Sequence, residues 1–397
     1  MQTDCSGKWR SLGILMIAEI AGMSLWFMSA AILPDLKREF EISEFRQAAL
    51  SSAVQIGFVV GALISALLGL ADRIDPRRFF AFCALAAALF NASLFIVEPG
   101  GWVSIFARFA TGALLAGVYP VGMKIAVGWG QKDRGFLVGT LVGALTLGSA
   151  APHLLALLGG TDWRWSLAVA SSASALGGLL CLLAKLGPFH GTAPRMQIKS
   201  IMMAWTNPKI RYAYAGYLGH MWELYAMWAW IGVALTVSFS IQMSAEEALP
   251  LARLIAFLAI AAGGVASVLA GIVADRVGKA NIAILAMTVS GTAAIASALT
   301  FGGPVWLTIV CVLIWGAAIL PDSAQFSALV ADYSPPEQAG SLMTFQTALG
   351  FALTFATVQA TPLLADTIGW PSVFAIMAIG PALGIAGMLR LKQIDPD

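Results

Sequence analysis

Two glutamates lie inside long apolar stretches of the sequence, where an acidic residue is unusual. Glu19 is followed by Trp26 after seven residues, and Glu223 is followed by Trp230 at the same spacing, so each pair shares one helix face. An ionised carboxylate in hydrocarbon costs at least ~2.5 kcal/mol, and it is retained only with a partner, a water-filled cavity or a proton. We therefore predict that one or both glutamates carry a proton that is taken up and released. A permanently hydrogen-bonded structural carboxylate is the alternative.

The stretch around Glu223 is also rich in aromatic side chains. His220 lies one helical turn before Glu223, Trp230 shares their face, and Tyr225 falls on the adjacent stripe. We predict that His220 joins the glutamates in handling the proton, and that Trp26, Tyr225 and Trp230 line a cavity for a small solute. Aromatic packing or lipid contact is the alternative. A metal site at His220 and Glu223 is disfavoured because no zinc-type pattern surrounds them, so no cofactor is predicted.

Two basic residues lie in another apolar stretch. Arg108 and Lys124 are sixteen residues apart, roughly 24 Å along a helix, so they cannot hold one small ligand together. We predict that Arg108 binds an anionic group of the solute or forms a salt bridge with Glu19, and that Tyr119 also contacts the solute. Lys124 either extends to the membrane interface or pairs with Asp322 as part of a gate.

The composition indicates a membrane protein. Hydrophobic residues make up 59% of the 397 residues and charged residues 11%, with a mean hydropathy of +0.83, whereas soluble chains carry roughly a quarter charged residues. A net charge of +2 gives no broad basic field, which excludes nucleic acid as a partner. The lipid bilayer is the expected surrounding, and a monomer is the expected state.

Twelve apolar runs are long enough to cross a membrane as helices. Most Lys and Arg fall on the side that holds both termini, so we predict that both termini are cytoplasmic, in a bacterial inner membrane. The predicted spans are 11–33, 47–70, 79–97, 102–128, 135–158, 164–186, 211–237, 248–273, 280–300, 304–330, 338–363 and 370–390.

The two halves of the chain repeat one another. Trp102 and Trp306 each precede a glycine by ten residues, and the Glu19 and Glu223 stretches match at a shift of 204. A polar, proline-containing stretch separates the halves. We predict an all-α integral membrane fold of two pseudo-symmetric six-helix bundles, at 1–186 and 211–397, joined by a cytoplasmic linker at 187–210.

A charged motif occurs once in each half. Ala71-Asp72-Arg73 follows the second predicted span, and Ala274-Asp275-Arg276 follows the eighth. The run from Gly271 to Lys279 resembles the G-x-x-x-D-R-x-G-R-[RK] signature of the major facilitator superfamily, while the first copy has Leu68 and Asp75-Pro76 where the signature has glycines. The fourth predicted span carries a similar R-x-x-x-G element. The resemblance covers essentially the whole chain and implies twelve helices in two bundles.

The resemblance implies that the motif residues gate the cytoplasmic side. Asp72 at a helix end can pair with nearby arginines and face a helix N-terminus of the opposite half. The arginines also suit a purely topological role as positive-inside anchors. The predicted gating residues are Asp72, Arg73, Arg77, Arg78, Asp275, Arg276, Lys124 and Asp322.

These features favour a secondary transporter over an enzyme. The sequence has neither an H-E-x-x-H motif nor a phosphate-binding G-x-x-x-x-G-K-[ST] loop. We predict a proton-coupled symporter that moves a small solute by alternating access, and an anionic solute is among the options. A proton-driven multidrug antiporter is disfavoured because Pro152 is displaced from the antiporter pattern of the fifth span. A membrane sensor that transports nothing is the other alternative.

Overall fold

The computed structural model describes residues 5–130, 134–191 and 201–395, which are mostly α-helical. The chain divides into two compact units, Met1–Ala193 and Pro194–Asp397. The division falls inside the predicted linker at 187–210, of which residues 192–200 lie outside the described residues. The prediction of an all-helical chain is confirmed.

In the first unit, α1 packs against α8 and α9, and α3 packs against α6. Its helices are α1 (Cys5–Met23), α2 (Met28–Glu39), α3 (Glu44–Leu68), α4 (Leu70–Arg73), α5 (Pro76–Ala92), α6 (Trp102–Leu115), α7 (Tyr119–Val127), α8 (Arg134–Leu158) and α9 (Trp163–Cys181).

In the second unit, the long helix α11 packs against α12, α16 and α18. Its helices are α10 (Met203–Thr206), α11 (Pro208–Phe239), α12 (Ala245–Val277), α13 (Lys279–Thr300), α14 (Val305–Ala318), α15 (Ser323–Asp332), α16 (Pro336–Ile368), α17 (Trp370–Met377) and α18 (Ile379–Ile394).

Ten helical stretches of the described residues are long and apolar enough to cross a membrane. Each of the twelve predicted spans has a helical counterpart, but α9 and α11 are not among these ten. Serines and Arg164 lower the hydropathy of α9, and Glu223 with its aromatic neighbours lowers that of α11. The count of twelve spans therefore stays a prediction for those two helices.

Four of the predicted spans are broken into two successive helices. The first breaks at 24–27 between α1 and α2, the fourth at 116–118 between α6 and α7, the tenth at 319–322 between α14 and α15, and the twelfth at Ala378 between α17 and α18. Proline accompanies two of these breaks, with Pro120 in the first turn of α7 and Pro321 inside the break of the tenth span. A proline removes one backbone donor, so it favours a helix start over a continuous helix.

The two repeated glycines let helices approach closely in matching places. A Cβ atom added at Gly112 would lie 2.1 Å from the carbonyl oxygen of Val54 in α3, and one added at Gly316 would lie 2.3 Å from that of Ala259 in α12. Small residues permit this backbone contact between membrane helices. The sequence repeat therefore reflects a repeated helix contact.

The two copies of the charged motif make their turns differently. In the second unit Gly278 alone joins α12 to α13, with φ +94° and ψ 137°. In the first unit the turn comes earlier, at Gly69 with φ +61°, and Asp75 then caps α5 with Pro76 in its first turn. The departures of the first copy from the signature thus correspond to a different turn.

We expect Gly278→Ala to lower the free energy of unfolding by about 1–3 kcal/mol, because a side chain is strained at this backbone conformation. Gly271→Ala is the matched control, since a Cβ there meets no atom within 4 Å, and the gain in helix propensity should raise stability by ~0.5–1 kcal/mol. Denaturant unfolding in detergent micelles measures both. Equal effects at the two glycines would contradict the assignment of the turn to Gly278.

Candidate proton and solute site

Glu223 lies near the middle of α11, a helix that begins at Pro208 after the Asn207 side chain caps its first turn. The carboxylate is fully buried. Its Oε1 accepts a hydrogen bond from Ser290 Oγ of α13 at 2.7 Å, and its Oε2 accepts one from Trp315 Nε1 of α14 at 2.9 Å. Each carboxylate oxygen thus has one neutral donor.

Ser290 and Trp315 were missed by the sequence reasoning. The available signal was that a buried indole N–H needs an acceptor, so a tryptophan inside an apolar span indicates a polar group nearby. The pattern of the sequence did not show that this acceptor is Glu223.

His220 and Asp322 form a second buried polar contact in this unit. His220 Nδ1 lies 2.8 Å from Asp322 Oδ1, and both side chains are excluded from solvent. The atoms are within ion-pair distance but lack the alignment of a hydrogen bond. His220 lies one turn from Glu223 on α11, so the structure brings together two predicted proton residues and one predicted gating residue.

The predicted aromatic solute contacts of the second unit are packed into its core. Trp230 Nε1 donates to the carbonyl oxygen of Val358 in α16 at 2.9 Å. The Tyr225 ring lies 5.5 Å from Trp228 and 5.0 Å from Phe351. Both side chains are buried, and a role in solute contact stays a prediction.

Glu19 is buried in the first unit in a very different environment from Glu223. Neither of its oxygens has a hydrogen-bond partner among the described residues. A Cβ added at Gly122 of α7 would lie 2.8 Å from Glu19 Oε2 and 3.4 Å from the Phe80 ring of α5. The repeat predicted two equivalent glutamates, whereas the structure gives polar donors to one of them only.

The predicted salt bridge between Arg108 and Glu19 is not formed. Arg108 is fully buried, and its Nη1 donates to Asn91 Oδ1 at 2.7 Å. Its Nη2 donates to the carbonyl oxygens of Leu25 and Trp26 at 2.7 and 2.8 Å. These carbonyls lie in the break between α1 and α2, where they have lost their helical partners. Arg108 therefore stabilises the broken helix, and its role in binding a solute stays a prediction.

The other predicted solute contacts of the first unit, Trp26 and Tyr119, lie at the breaks of the first and fourth spans. Trp26 Nε1 donates to Gln55 Oε1 of α3 at 2.8 Å, and its ring lies 4.8 Å from Phe58. Tyr119 is half-buried and begins α7, next to the break in the fourth span. Both roles remain predictions.

The predicted gating residues of the first unit take part in two ion pairs, Lys124 with Asp72 and Arg77 with Asp75. Lys124 Nζ lies 2.5 Å from Asp72 Oδ1 and donates to the carbonyl oxygen of Ala71 at 2.7 Å. Pairing with Asp322 was one of the two alternatives for Lys124. Lys124 contacts Asp72 in the first unit, and Asp322 contacts His220 in the second unit. A cavity of about 270 Å³ beside Lys124 is lined by residues 71–76, 190 and 191.

Three of the remaining predicted gating residues, Arg73, Arg78 and Arg276, are exposed. The side chain of Asp275 lies outside the described residues. In the second unit Lys279 Nζ lies 2.5 Å from Asp332 Oδ2 of α15. In each unit, an ion pair therefore links the motif loop to the second helix of a broken span, α7 in the first unit and α15 in the second. The loop supplies the acid in the first unit and the base in the second.

Asp75 pairs with Arg77, another predicted gating residue of the first unit. Its carboxylate accepts from the Arg77 backbone N–H, from Nε at 3.0 Å and from Nη2 at 2.6 Å. Arg77 Nη1 also donates to the carbonyl oxygen of Ala184 at 3.3 Å. Hydrogen bonding by the Arg77 side chain lowers the pKa of Asp75 from 3.8 to about 2.

This pKa shift predicts how stability depends on pH. A carboxyl group whose pKa is lowered on folding stabilises the protein above its unfolded pKa and loses that effect as pH falls through its folded pKa. The stability difference between the wild type and Asp75→Asn should therefore be constant near neutral pH and disappear between about pH 4 and pH 2. Unfolding in detergent across this range measures it.

Asp162→Asn is the matched control for this prediction. Asp162 caps α9 by accepting from the Arg164 backbone N–H at 3.0 Å, while the Arg164 guanidinium lies 3.0 Å from Glu39. The Asp162→Asn variant therefore measures the contribution of a capping carboxylate that is not paired with an arginine guanidinium. A pH-independent difference between the wild type and Asp75→Asn would contradict the prediction.

Comparison with known proteins identifies the family. A model of the Major Facilitator Superfamily matches residues 15–318. The chain belongs to the major facilitator superfamily. Membership makes it a membrane transporter and not an enzyme. No curated protein matches it. Among the described residues, no three of His, Cys, Asp and Glu are placed to hold a metal ion.

Solved structures of transporters share the fold. The nucleoside transporter NupG, in a mutant form, is 15% identical with a TM-score of 0.72, covering 96% of this chain and 99% of that one. The E. coli xylose transporter XylE, in a partially occluded inward-open conformation, is 14% identical with a TM-score of 0.73, covering 97% and 98%. A D-xylose-proton symporter gives 14% and 0.73, covering 95% and 96%. At these identities the likeness shows the fold alone.

Proposed function

We propose that this superfamily member is a proton-coupled symporter of a small polar solute in a bacterial inner membrane, with both termini cytoplasmic. Alternating access, in which the two halves expose the solute site to each side in turn, is the mechanism that such two-half transporters use. Glu223 and Glu19 are the proposed proton-binding groups, and His220 assists Glu223.

The observation that supports proton coupling is the burial of two carboxyl groups without a counter-ion. The described residues give neither Glu19 nor Glu223 an ion-pair partner. An ionised carboxylate in such a place carries the full cost of desolvation, whereas a neutral acid does not. A proton that binds when the site is closed and leaves when water enters fits this arrangement.

The charge of the solute is a finer proposal. Arg108 uses three hydrogen bonds on Asn91 and on the carbonyl oxygens of the first break. It contacts no carboxylate among the described residues, and its Nε has no acceptor there. Because no carboxylate neutralises this buried guanidinium, we propose that the solute is anionic or strongly polar. Arg108 would attract it through its charge and not through a bidentate hydrogen bond.

Flux in proteoliposomes tests the function. The purified protein is reconstituted with a pH-sensitive dye in the lumen, and neutral sugars, nucleosides, small carboxylates and inorganic anions are added one class at a time. We expect one class to move protons inward with the solute, and to accumulate only under an imposed proton gradient. Solute uptake that does not depend on the imposed proton gradient, or no flux with any solute class, would overturn the proposal of a proton symporter.

A further inference from the structure

Asp322 occupies the break of the tenth predicted span. It follows Pro321 and is the N-cap residue of α15, yet its side chain makes no capping hydrogen bond. The partial positive charge of a helix N-terminus favours an ionised carboxylate at this place. Asp322 instead directs Oδ1 at His220, at 2.8 Å.

His220 lies on α11, which runs without a break past this point. Among the described residues, the titratable groups placed near it are Asp322 of α15 and, on α11 itself, Tyr217, whose ring centre lies 6.2 Å away, and Glu223, one helical turn along. The Phe326 ring of α15 lies 6.0 Å from the imidazole. His220 Nε2 has no hydrogen-bond partner among the described residues.

Both sides of the break contact the same turn of α11. Trp315, in the last turn of α14, donates to Glu223. Asp322, at the start of α15, contacts His220 one turn away. The position of α14 relative to α15 is therefore fixed by two contacts with one rigid helix, and each contact includes a group that can gain or lose a proton.

We propose that the His220–Asp322 pair is a proton-dependent clamp on the break between α14 and α15, and that it couples proton occupancy to movement of α15. The inference rests on the proposed function, in which Glu223 carries the coupled proton. With His220 charged, the buried ion pair holds the break in the described position. When His220 becomes neutral, Asp322 loses its counter-charge, and a buried charge without a partner is strongly unfavourable, so the break is released.

Hydrogen–deuterium exchange of the reconstituted protein tests the clamp without any solute. At neutral pH, Asp322→Asn and His220→Gln should each speed amide exchange at residues 319–323 by about tenfold, because the local structure opens more often. The double variant should exchange no faster than the single variants, since the two substitutions remove one interaction. Asp366→Asn, an exposed change in α16, is the control and should leave exchange at the break unchanged.

Unchanged exchange at 319–323, or strictly additive effects in the double variant, would overturn the proposal. Loss of protection throughout α13 would show that a variant is unfolded, and the pH dependence of exchange in the wild type then provides the test.

The chain has three histidines, so nitrogen NMR of labelled histidine can assign the His220 signal by comparison with His220→Gln. The imidazole of His220 must lose its charge over the same pH range in which exchange at 319–323 accelerates. A His220 that stays neutral while the break is protected would also refute the clamp.

The clamp and the transport function fail in different ways. If proton-driven flux depends on Glu223 but amide exchange at 319–323 is unchanged in His220→Gln and Asp322→Asn, the clamp alone is wrong. If the wild type shows no proton-coupled flux with any solute class, the proposed function is wrong, whatever the exchange data show.

Discussion

Glu223→Gln is expected to abolish proton-driven accumulation of the solute while leaving exchange of solute across the membrane intact. A pH difference of one unit at zero membrane potential supplies ~1.4 kcal/mol for one coupled proton, which is about a tenfold concentration ratio whatever the charge of the solute. An amide cannot bind and release that proton, so the ratio should fall to about one. The measurement compares accumulation under this pH difference with counterflow between solute-loaded vesicles.

Two further variants sharpen this test. Glu246→Gln is the matched control, because Glu246 is exposed in the first turn of α12. Glu19→Gln is expected to reduce accumulation as Glu223→Gln does, but with a larger loss of stability, because the new amide N–H groups would have no acceptor near Phe80 and Gly122. If accumulation persists at the wild-type ratio in both Glu19→Gln and Glu223→Gln, these residues do not carry the proton.

Arg108→Ala is expected to destabilise the first unit by about 3–5 kcal/mol. The change leaves the carbonyl oxygens of Leu25 and Trp26 and the amide oxygen of Asn91 buried without their donor, and each unsatisfied group costs ~1–3 kcal/mol. Asn91 in turn donates to Ser171 of α9 at 2.9 Å, so the loss extends across three helices. Unfolding in detergent measures the effect.

Arg164→Ala is the control for Arg108→Ala. Arg164 forms an exposed ion pair with Glu39 at 3.0 Å, so its removal should cost less than ~1 kcal/mol. Arg108→Lys keeps the charge but not the two-pronged geometry, and it should be intermediate. If Arg108→Ala weakens solute binding while unfolding is unchanged, Arg108 is a ligand for the solute and does not hold the helix break.

The sequence located the buried acids but not their surroundings. Glu19 and Glu223 stood out because they interrupt apolar runs at matching places, and both are buried in the structure. Ser290 and Trp315 were missed because they reach Glu223 from helices 67 and 92 residues away in the chain. Hydropathy records what a helix contains, and it does not record which neighbour each side chain faces.

The basic residues show the same limitation more sharply. The residue type of Arg108 indicated an anionic partner, either a group of the solute or the carboxylate of Glu19. The actual partners are backbone carbonyl oxygens, which exist as acceptors only because the first span breaks at 24–27. No proline lies in that break, so its position could not be predicted from residue types.

What the sequence alone determined is the helical class, the membrane environment, the repeat and the burial of the two glutamates, because these follow from the polarity of each residue and its local spacing. Only the tertiary structure decided that Glu223 has two donors, that Glu19 has none among the described residues, that Arg108 supports a helix break, and that Asp322 lies beside His220. The physical reason is that hydrogen bonds and ion pairs depend on distances of a few ångströms between helices, and those distances are set by packing.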